Sequence, residues 1–205
     1  MLKIYLVRHG QNVDNLNGIL NGHRDEPLTP LGEAQALTTA NHIKELGLAF
    51  DTVYSSPLIR AFKTAEIITD NLKLDKPKVL DNLIERNFGV MTGESASRIE
   101  ELCSPEIIKT ETITYFLSPS GAETFPQLIK RGGKVIDYLN QNHKSGSVLL
   151  VTHGDIGKMI YASYYNLDWK DILTSFHFGN ADILLLSNDS PANEPHVFKQ
   201  AQHNH

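Results

Sequence analysis

Two histidines in this sequence each stand directly after an apolar run and directly before a glycine. The groups are Arg8-His9-Gly10, which follows residues 3–7, and His153-Gly154, which follows residues 147–152. A neutral imidazole can act as a nucleophile or a base, and an adjacent guanidinium can bind an anion. One such group would more often be a solvated strand end, whereas the repeated pattern favours a catalytic site.

Both apolar runs contain β-branched residues and stop at a turn signal, which is typical of buried strands. A glycine such as Gly10 lets the backbone come close to a ligand. Ligands of open parallel sheets bind at the carboxyl ends of the strands. We therefore expect His9 and His153 to emerge at the same edge of one sheet.

A carboxylate in the middle of the sequence is a candidate proton donor. Glu85 follows Leu83-Ile84, so the sequence places it on a mostly buried segment. Burial disfavours the charged form of a carboxyl group and raises its pKa, which suits a general acid. The alternative is a surface charge pair between Glu85 and Arg86.

An arginine in the first turn of a predicted helix is a candidate anion ligand. Ser56-Pro57 is typical of a helix start, and apolar residues recur after it at helical spacing. Arg60 then lies where the helix dipole and a planar guanidinium would act on the same phosphate. An exposed surface arginine is the alternative.

The segment 11–27 is polar and long for a structureless connection, and such loops often carry function. Its candidate binding residues are Asn15, whose amide can donate a hydrogen bond to a phosphate oxygen, and His23. For Asn17 and Asn21 we favour the alternative of an Asx turn.

Helices and strands alternate along the sequence, which predicts an α/β fold, a three-layer sandwich with a mostly parallel central sheet and helices on both faces. The segment from about 94 to 121 breaks the alternation, so we predict an insertion that covers the site. With 205 residues, of which 40% are hydrophobic, the chain suits one domain, 1–205. The individual elements that we predict are a helix over 31–46 and strands at 52–55, 78–80 and 181–186.

Composition excludes several classes of partner. The formal net charge of -5 argues against nucleic acid and anionic membrane surfaces, so the expected partner is a small phosphorylated metabolite. The single cysteine, Cys103, excludes an internal disulfide, and no leader or bilayer-length apolar run is present, so we expect a cytoplasmic protein. The composition indicates no oligomeric state. The polar tail from 188 contains His196, His203 and His205, which we expect to be solvated.

The candidate residues occur in the order found in the histidine phosphatase superfamily, the phosphoglycerate-mutase-like enzymes, which the sequence resembles over most of its length. The matching groups are Arg8-His9-Gly10, Asn15, Ser55–Ala61, Glu85 and His153-Gly154. The resemblance implies that His9 becomes a phosphohistidine and that Glu85 protonates the departing alkoxide, then activates water. The implied phosphate ligands are Arg8, Arg60, His153 and Asn15, with Gly10, His23 and Gly154 as further binding candidates.

The resemblance also separates phosphatase from mutase activity. Mutases of the family have a lysine soon after the segment that contains Glu85 and an adjacent Arg pair in the insertion. Here Gly93 is followed by Glu94-Ser95-Ala96-Ser97, and no Arg-Arg pair occurs. We therefore expect a phosphatase of small phosphorylated metabolites, with sugar phosphates such as fructose bisphosphates as the leading class.

Four alternatives remain open at this point: a phosphoglycerate mutase, a protein-phosphohistidine phosphatase, a metal-dependent hydrolase that uses His9, His23 and His153, and a non-catalytic binding module. Two arginines and a second histidine can neutralise a phosphate without Mg²⁺, and the sequence has no Asp-rich or Gly-rich phosphate loop. The expected requirement is no metal and no cofactor.

Overall fold

The central sheet of this protein has six strands. A computed structural model describes residues 1–201 of the chain. Within these residues there are eight strands, of which six form the central sheet. They are β1 (Leu2–Arg8), β2 (Thr52–Ser55), β3 (Lys78–Val79), β4 (Ile107–Lys109), β5 (Thr114–Phe116), β6 (Gly146–Thr152), β7 (Ile183–Leu186) and β8 (His196–Phe198). Their order in the sheet is β3-β2-β6-β1-β7-β8, and β4 and β5 form a separate hairpin.

The two strands that end in histidine are neighbours in this sheet. β1 pairs with β6 in parallel, with Leu2 opposite Gly146 and Arg8 opposite Thr152, so both strands end at the same edge. β2 and β3 continue the parallel part, whereas β7 and β8 are antiparallel to their neighbours. The predicted α/β fold with a mostly parallel sheet is confirmed.

Helices cover both faces of the sheet. They are α1 (Val13–Asn17), α2 (Pro30–Glu45), α3 (Ile59–Leu72), α4 (Ile99–Cys103), α5 (Phe125–Asn142), α6 (Gly154–Tyr165) and α7 (Trp169–Ser175). Alternate β1 side chains point to opposite faces, so Ile4 and Leu6 pack with α5 and α6 in one apolar core. Tyr5 and Val7 pack with α2 and α3 in the other.

Local sequence signals explain where the longer helices begin. α2 starts with Pro30 after Thr29, whose side chain accepts a hydrogen bond from the backbone of Gly32. α5 starts with a reciprocal capping box between Thr124 and Gln127. Such caps satisfy backbone N–H groups that have no partner inside the helix.

The segment 94–121 contains only short elements, namely a 3₁₀ turn at Ala96–Arg98, then α4 and the β4–β5 hairpin. Ile99, Cys103 and Phe116 from this segment pack with Phe88 and Met91 in a small third core. The segment is therefore anchored by its own apolar contacts.

The structure also contains elements that the sequence did not reveal. The predicted loop 11–27 holds the short helix α1, and α7 and β8 occur in segments with no predicted element. The prediction of a solvated tail is wrong for His196, because its side chain is 9% exposed, lies on an edge strand and approaches Asp182 at 3.5 Å. The predictions for His203 and His205 lie outside the described residues. Within residues 1–201, no helix is long and apolar enough to cross a bilayer.

Candidate active site

A cavity of about 330 Å³ opens at the edge of the sheet where β1 and β6 end. Six of the predicted site residues line it, and they are Arg8, His9, Asn15, Arg60, Glu85 and Gly154. His153 is fully buried behind this lining, and its ring lies edge-on to that of His9 with the centroids 5.1 Å apart. The structure therefore brings the two histidines together, as the parallel pairing of their strands requires.

Hydrogen bonds determine which nitrogen of His9 can react. Nδ1 lies 2.7 Å from the carbonyl oxygen of Gly10, and because a carbonyl can only accept, Nδ1 carries the proton. Nε2 then keeps its lone pair, and Nε of Arg60 donates to it over 3.3 Å. His9 is thus held in the tautomer in which Nε2 carries no proton and has the lone pair that can attack phosphorus.

The surroundings of His9 also keep it uncharged. Burial lowers its pKa well below the ordinary value of 6.5, and the charges of Arg60 and Arg8 lower it further. His153 has a pKa lowered in the same way, first by burial and then by Arg60. At neutral pH both imidazoles are therefore neutral, which is the form that a nucleophile needs.

Arg60 is held rigidly at the start of α3. Its guanidinium is fully buried and donates to the carbonyl oxygens of Arg24 (2.6 Å) and Gly22 (3.0 Å) as well as to His9. Burial lowers its pKa to about 10, so it remains a cation at neutral pH. The alternative of an exposed arginine is excluded.

Arg60→Lys is expected to lower kcat/KM for a phosphomonoester by on the order of 10²-fold. A lysine ammonium is a point charge and cannot hold two backbone carbonyls while also presenting a planar donor to the phosphate. Steady-state kinetics on the variant would measure this loss, with Arg98→Lys, an exposed arginine outside the cavity, as control. Near-normal turnover of Arg60→Lys would contradict a role in phosphate binding.

Arg8 approaches the cavity from the end of β1. Its Nη1 donates to the carbonyl of Phe178 over 2.8 Å. Its buried Nε has no hydrogen-bond partner among residues 1–201. A Cβ added at Gly154 would lie 3.7 Å from that Nε, so the glycine keeps the space beside the guanidinium open. Arg8 thus keeps an N–H group from which a phosphate oxygen can accept a hydrogen bond.

Glu85 sits against the amino terminus of α6. Its carboxyl oxygens accept hydrogen bonds from the backbone N–H groups of Arg86 (2.9 Å), Ile156 (3.2 Å) and Asp155 (3.4 Å). Burial raises its pKa above 4.5, and the nearby Asp155 charge raises it further, although these hydrogen bonds act in the opposite direction. The predicted burial of Glu85 is observed, and its position suits proton transfer.

The buried neutral histidines should make the fold sensitive to acid. Below pH 6.5 the unfolded chain takes up protons on His9 and His153 while the native protein does not, so the free energy of unfolding falls as the pH falls. Each histidine contributes a slope of up to about 1.4 kcal/mol per pH unit. Urea unfolding at several pH values would measure the slope, and His9→Gln should reduce it. An identical slope in the variant would contradict the shift assigned to His9.

Several predicted residues have positions that differ from those expected. Gly10 does not line the cavity; a Cβ there would collide with the carbonyl oxygen of Gly32, so this glycine serves the contact with α2. His23 is exposed outside the cavity lining, and its Nε2 lies 2.7 Å from the carbonyl oxygen of Glu85. The metal-dependent alternative requires His23 beside His9, and the cavity lining does not include it.

The amide of Asn15 faces the cavity within a small network. Asn180, a cavity residue without a signal in the sequence, donates from Nδ2 to the carbonyl of His9 (2.9 Å) and to Oδ1 of Asn15 (3.3 Å). The segment before β7 therefore holds both the backbone of His9 and the side chain of Asn15 in place.

The lining also contains charged or polar residues that were not predicted, among them Arg86, Tyr115, Asp155, Lys158 and His177. Two of them had a signal, because Arg86 directly follows Glu85 and Asp155 directly follows His153-Gly154. Arg86 is buried and pairs with Asp155 over 2.7 Å, so the alternative of a surface Glu85–Arg86 pair is excluded. Within residues 1–201, no group of three or more His, Cys, Asp or Glu side chains is placed to hold a metal ion.

The fold and cavity together define an α/β protein that can supply a neutral histidine, a cationic clamp and a buried carboxylic acid at one sheet edge. Residues 4–198 match the family model of the histidine phosphatase superfamily, branch 1. The chain belongs to this superfamily.

Two relatives of similar sequence are named as a phosphoglycerate mutase and a phosphoglycerate mutase-like protein. A 2,3-bisphosphoglycerate-dependent phosphoglycerate mutase from Bartonella tribocorum is 29% identical over 175 residues, which cover 83% of this chain and 85% of the relative. Phosphoglycerate mutase-like protein 4 from Arabidopsis thaliana is 34% identical over 167 residues, or 78% of this chain and 69% of that protein.

Solved structures of phosphatases have the same fold. A phosphoserine phosphatase from Entamoeba histolytica, in complex with 3-phosphoglyceric acid, has a TM-score of 0.71 and 27% identity, with 90% of each chain covered. A mycobacterial glucosyl-3-phosphoglycerate phosphatase has a TM-score of 0.77 and 24% identity, with 90% of this chain and 92% of the other covered. The second likeness concerns the fold alone.

Proposed function

We propose that this protein is a metal-independent phosphomonoesterase that hydrolyses small phosphorylated metabolites through a phosphohistidine at His9. The observation that carries the proposal is the state of His9, whose Nδ1 proton is held by the Gly10 carbonyl while Nε2 faces Arg60 in the cavity. Sugar phosphates, including fructose bisphosphates, are the first substrates to test. The partner would be a small molecule in the cytoplasm, neither nucleic acid nor a membrane.

The reaction has two steps that share one acid-base group. Nε2 of His9 forms a bond to phosphorus while the ester P–O bond breaks, and Glu85 gives its proton to the leaving alkoxide. Water then attacks the phosphohistidine and loses a proton to Glu85 while the P–N bond to His9 breaks, which releases phosphate and restores the neutral imidazole. Arg8 and Arg60 offset the charge on the phosphoryl oxygens in both steps.

The lining of the cavity supports hydrolysis over the mutase reaction. Residues 94–121, all of which the structure describes, give the lining only uncharged side chains: Ala96, Ile99, Thr112, Ile113, Thr114, Tyr115 and Phe116. A mutase must hold a carboxylated acceptor for transfer in place of water, and this segment presents no cation to that carboxylate. The mutase names of the relatives keep this activity as the second candidate.

A panel of phosphorylated metabolites, assayed for phosphate release and in parallel for 3-phosphoglycerate mutase activity, would test the proposal. Phosphate release that exceeds mutase turnover is the expected result. Dominant mutase activity would overturn it. Including a phosphohistidine-containing protein would decide the remaining phosphatase alternative, and no turnover on any substrate would favour a binding module.

Treatment with EDTA is expected to leave kcat/KM unchanged. The proposed neutralisation of the phosphoryl group comes from the side chains of Arg8 and Arg60, so a divalent ion has no required part in it. The rate should be measured before and after chelation and again after adding Mg²⁺, Mn²⁺ or Zn²⁺. A rate that falls with EDTA and recovers with one of these ions would contradict metal independence.

A further inference from the structure

The cavity has one wall that no step of the proposed hydrolysis uses. Its apolar residues are Ile19, Leu20, Phe88, Ile99, Ile113 and Phe116, which we call the apolar wall. Leu20, Phe88, Ile99 and Phe116 belong to the third core, so the wall is the cavity-facing side of a packed cluster.

Backbone hydrogen bonds hold the apolar wall in place. The N–H of Leu20 donates to the carbonyl oxygen of Glu94 (2.9 Å), and the carbonyl oxygen of Leu20 accepts from the N–H of Gly93 (2.8 Å). These two bonds join the loop after α1 to segment 94–121. Ile113 lies in a turn where its N–H donates to Thr110 Oγ1 over 3.0 Å. A wall fixed in this way is preformed, so a ligand does not have to order it.

The cations away from His9 are already bound to other groups. Arg86 pairs with Asp155 and lies 4.4 Å from the centroids of the Phe116 and Phe125 rings, with 1% of its side chain exposed. Nζ of Lys158 donates to the carbonyl of Leu173 over 2.8 Å and lies over the Tyr115 and Phe176 rings. Burial lowers the pKa of Lys158 to about 8, so it remains mostly a cation at neutral pH.

The apolar wall itself offers no charged side chain to a second phosphate on the substrate. A phosphate that faced this wall would lose part of its hydration shell without gaining an ion pair. A charge moved from water into apolar surroundings without a partner is strongly disfavoured. An apolar group in the same place would gain burial against the wall.

We propose that the substrate is a phosphate monoester of an alcohol that is uncharged and apolar on the side facing the apolar wall, and that a second phosphate facing this wall is disfavoured. This inference rests on the proposed phosphatase function and narrows its substrate class. The phosphoryl group lies between His9, Arg8 and Arg60, and the alkyl or aryl part of the alcohol lies against Ile113 and Leu20.

The test compares esters whose leaving alkoxides are similarly basic, so that differences in rate report binding of the alcohol. The wild-type protein is expected to hydrolyse 2-phenylethyl phosphate with a kcat/KM roughly 10-fold or more above that for glycerol 3-phosphate. Fructose 1,6-bisphosphate is expected to be no better a substrate than fructose 6-phosphate.

Variants of the wall connect this preference to the structure. Ile113→Thr, with Leu20→Thr as a second variant, should lower kcat/KM for 2-phenylethyl phosphate by roughly 10-fold and leave glycerol 3-phosphate nearly unchanged. Leu102→Thr, an exposed apolar residue of α4 that does not line the cavity, is the matched control.

The outcomes separate this inference from the function on which it rests. If glycerol 3-phosphate or fructose 1,6-bisphosphate is hydrolysed best, the substrate class is wrong while the phosphatase stands. Equal losses on both monoesters in the wall variants would likewise overturn it. If the wild-type protein releases phosphate from none of these compounds, the proposed function itself fails.

Discussion

Replacing His9 with glutamine is expected to lower kcat/KM for a phosphomonoester by on the order of 10⁴-fold or more, because the bond-forming atom is removed. Glutamine keeps a polar side chain of similar length, so the packing around Arg60 should be disturbed little. Its amide nitrogen has no lone pair available for attack on phosphorus. The loss should therefore appear in kcat on every substrate, whatever its leaving group.

Trapping the intermediate makes this expectation specific to His9. Rapid acid-free quenching after mixing with a ³²P-labelled substrate should leave a protein-bound label that is stable in base and lost in acid. The label should be absent from His9→Gln and present in His42→Gln, which changes a histidine on α2 outside the cavity. Label that persists in His9→Gln would remove His9 from the nucleophilic role.

Glu85→Gln is expected to lower kcat/KM on an alkyl phosphate by roughly 10²–10⁴-fold, the usual contribution of a general acid. An alkoxide is a very poor leaving group unless it is protonated, whereas a nitrophenolate departs readily as the anion. The same variant should therefore lose much less activity on p-nitrophenyl phosphate. Glutamine can keep the hydrogen bonds that Oε1 of Glu85 accepts from the N–H groups of Arg86 and Ile156 and loses only the long one from Asp155. The contrast between the two substrates therefore reports the proton and not the position.

The comparison requires that formation of the phosphoenzyme limits both rates, and a burst experiment with p-nitrophenyl phosphate checks this condition. Slow hydrolysis of the phosphoenzyme also needs Glu85, as a base, and would equalise the two losses. If formation is limiting and both substrates still lose activity equally, Glu85 positions the site instead. Asp14, His153 and the cavity residue Asp155 are then the next proton donors to test.

Residues close together in sequence were the ones that sequence analysis could place. The apolar runs before His9 and His153 predicted two strands with a common edge, and the helix predicted over 31–46 is present as α2. In each case the pattern and its physical cause lie within a few residues. Such signals predict an element without knowledge of its tertiary partners.

Residues that matter through distant contacts could not be found in this way. Asn180 holds the carbonyl of His9, but it lies in a segment whose path depends on β7 pairing antiparallel to β1. Lys158 lies on α6, and which way its side chain faces depends on how α6 packs against α5 and α7. Tyr115 reaches the cavity only through the hairpin of β4 and β5, whose strands are three residues long.

The strand order delays the assembly of the site around His9 during folding. β1 is made before its partners β6 and β7, so Leu2 must wait for Gly146 and Ile4 for Leu186. Until then β1 is an apolar segment with both edges unpaired, which is the kind of segment that associates with other chains. Pairing across so many residues slows folding and lengthens this exposure. Synthesis from the amino terminus therefore leaves Arg8 and His9 without their cavity until β7 has emerged from the ribosome.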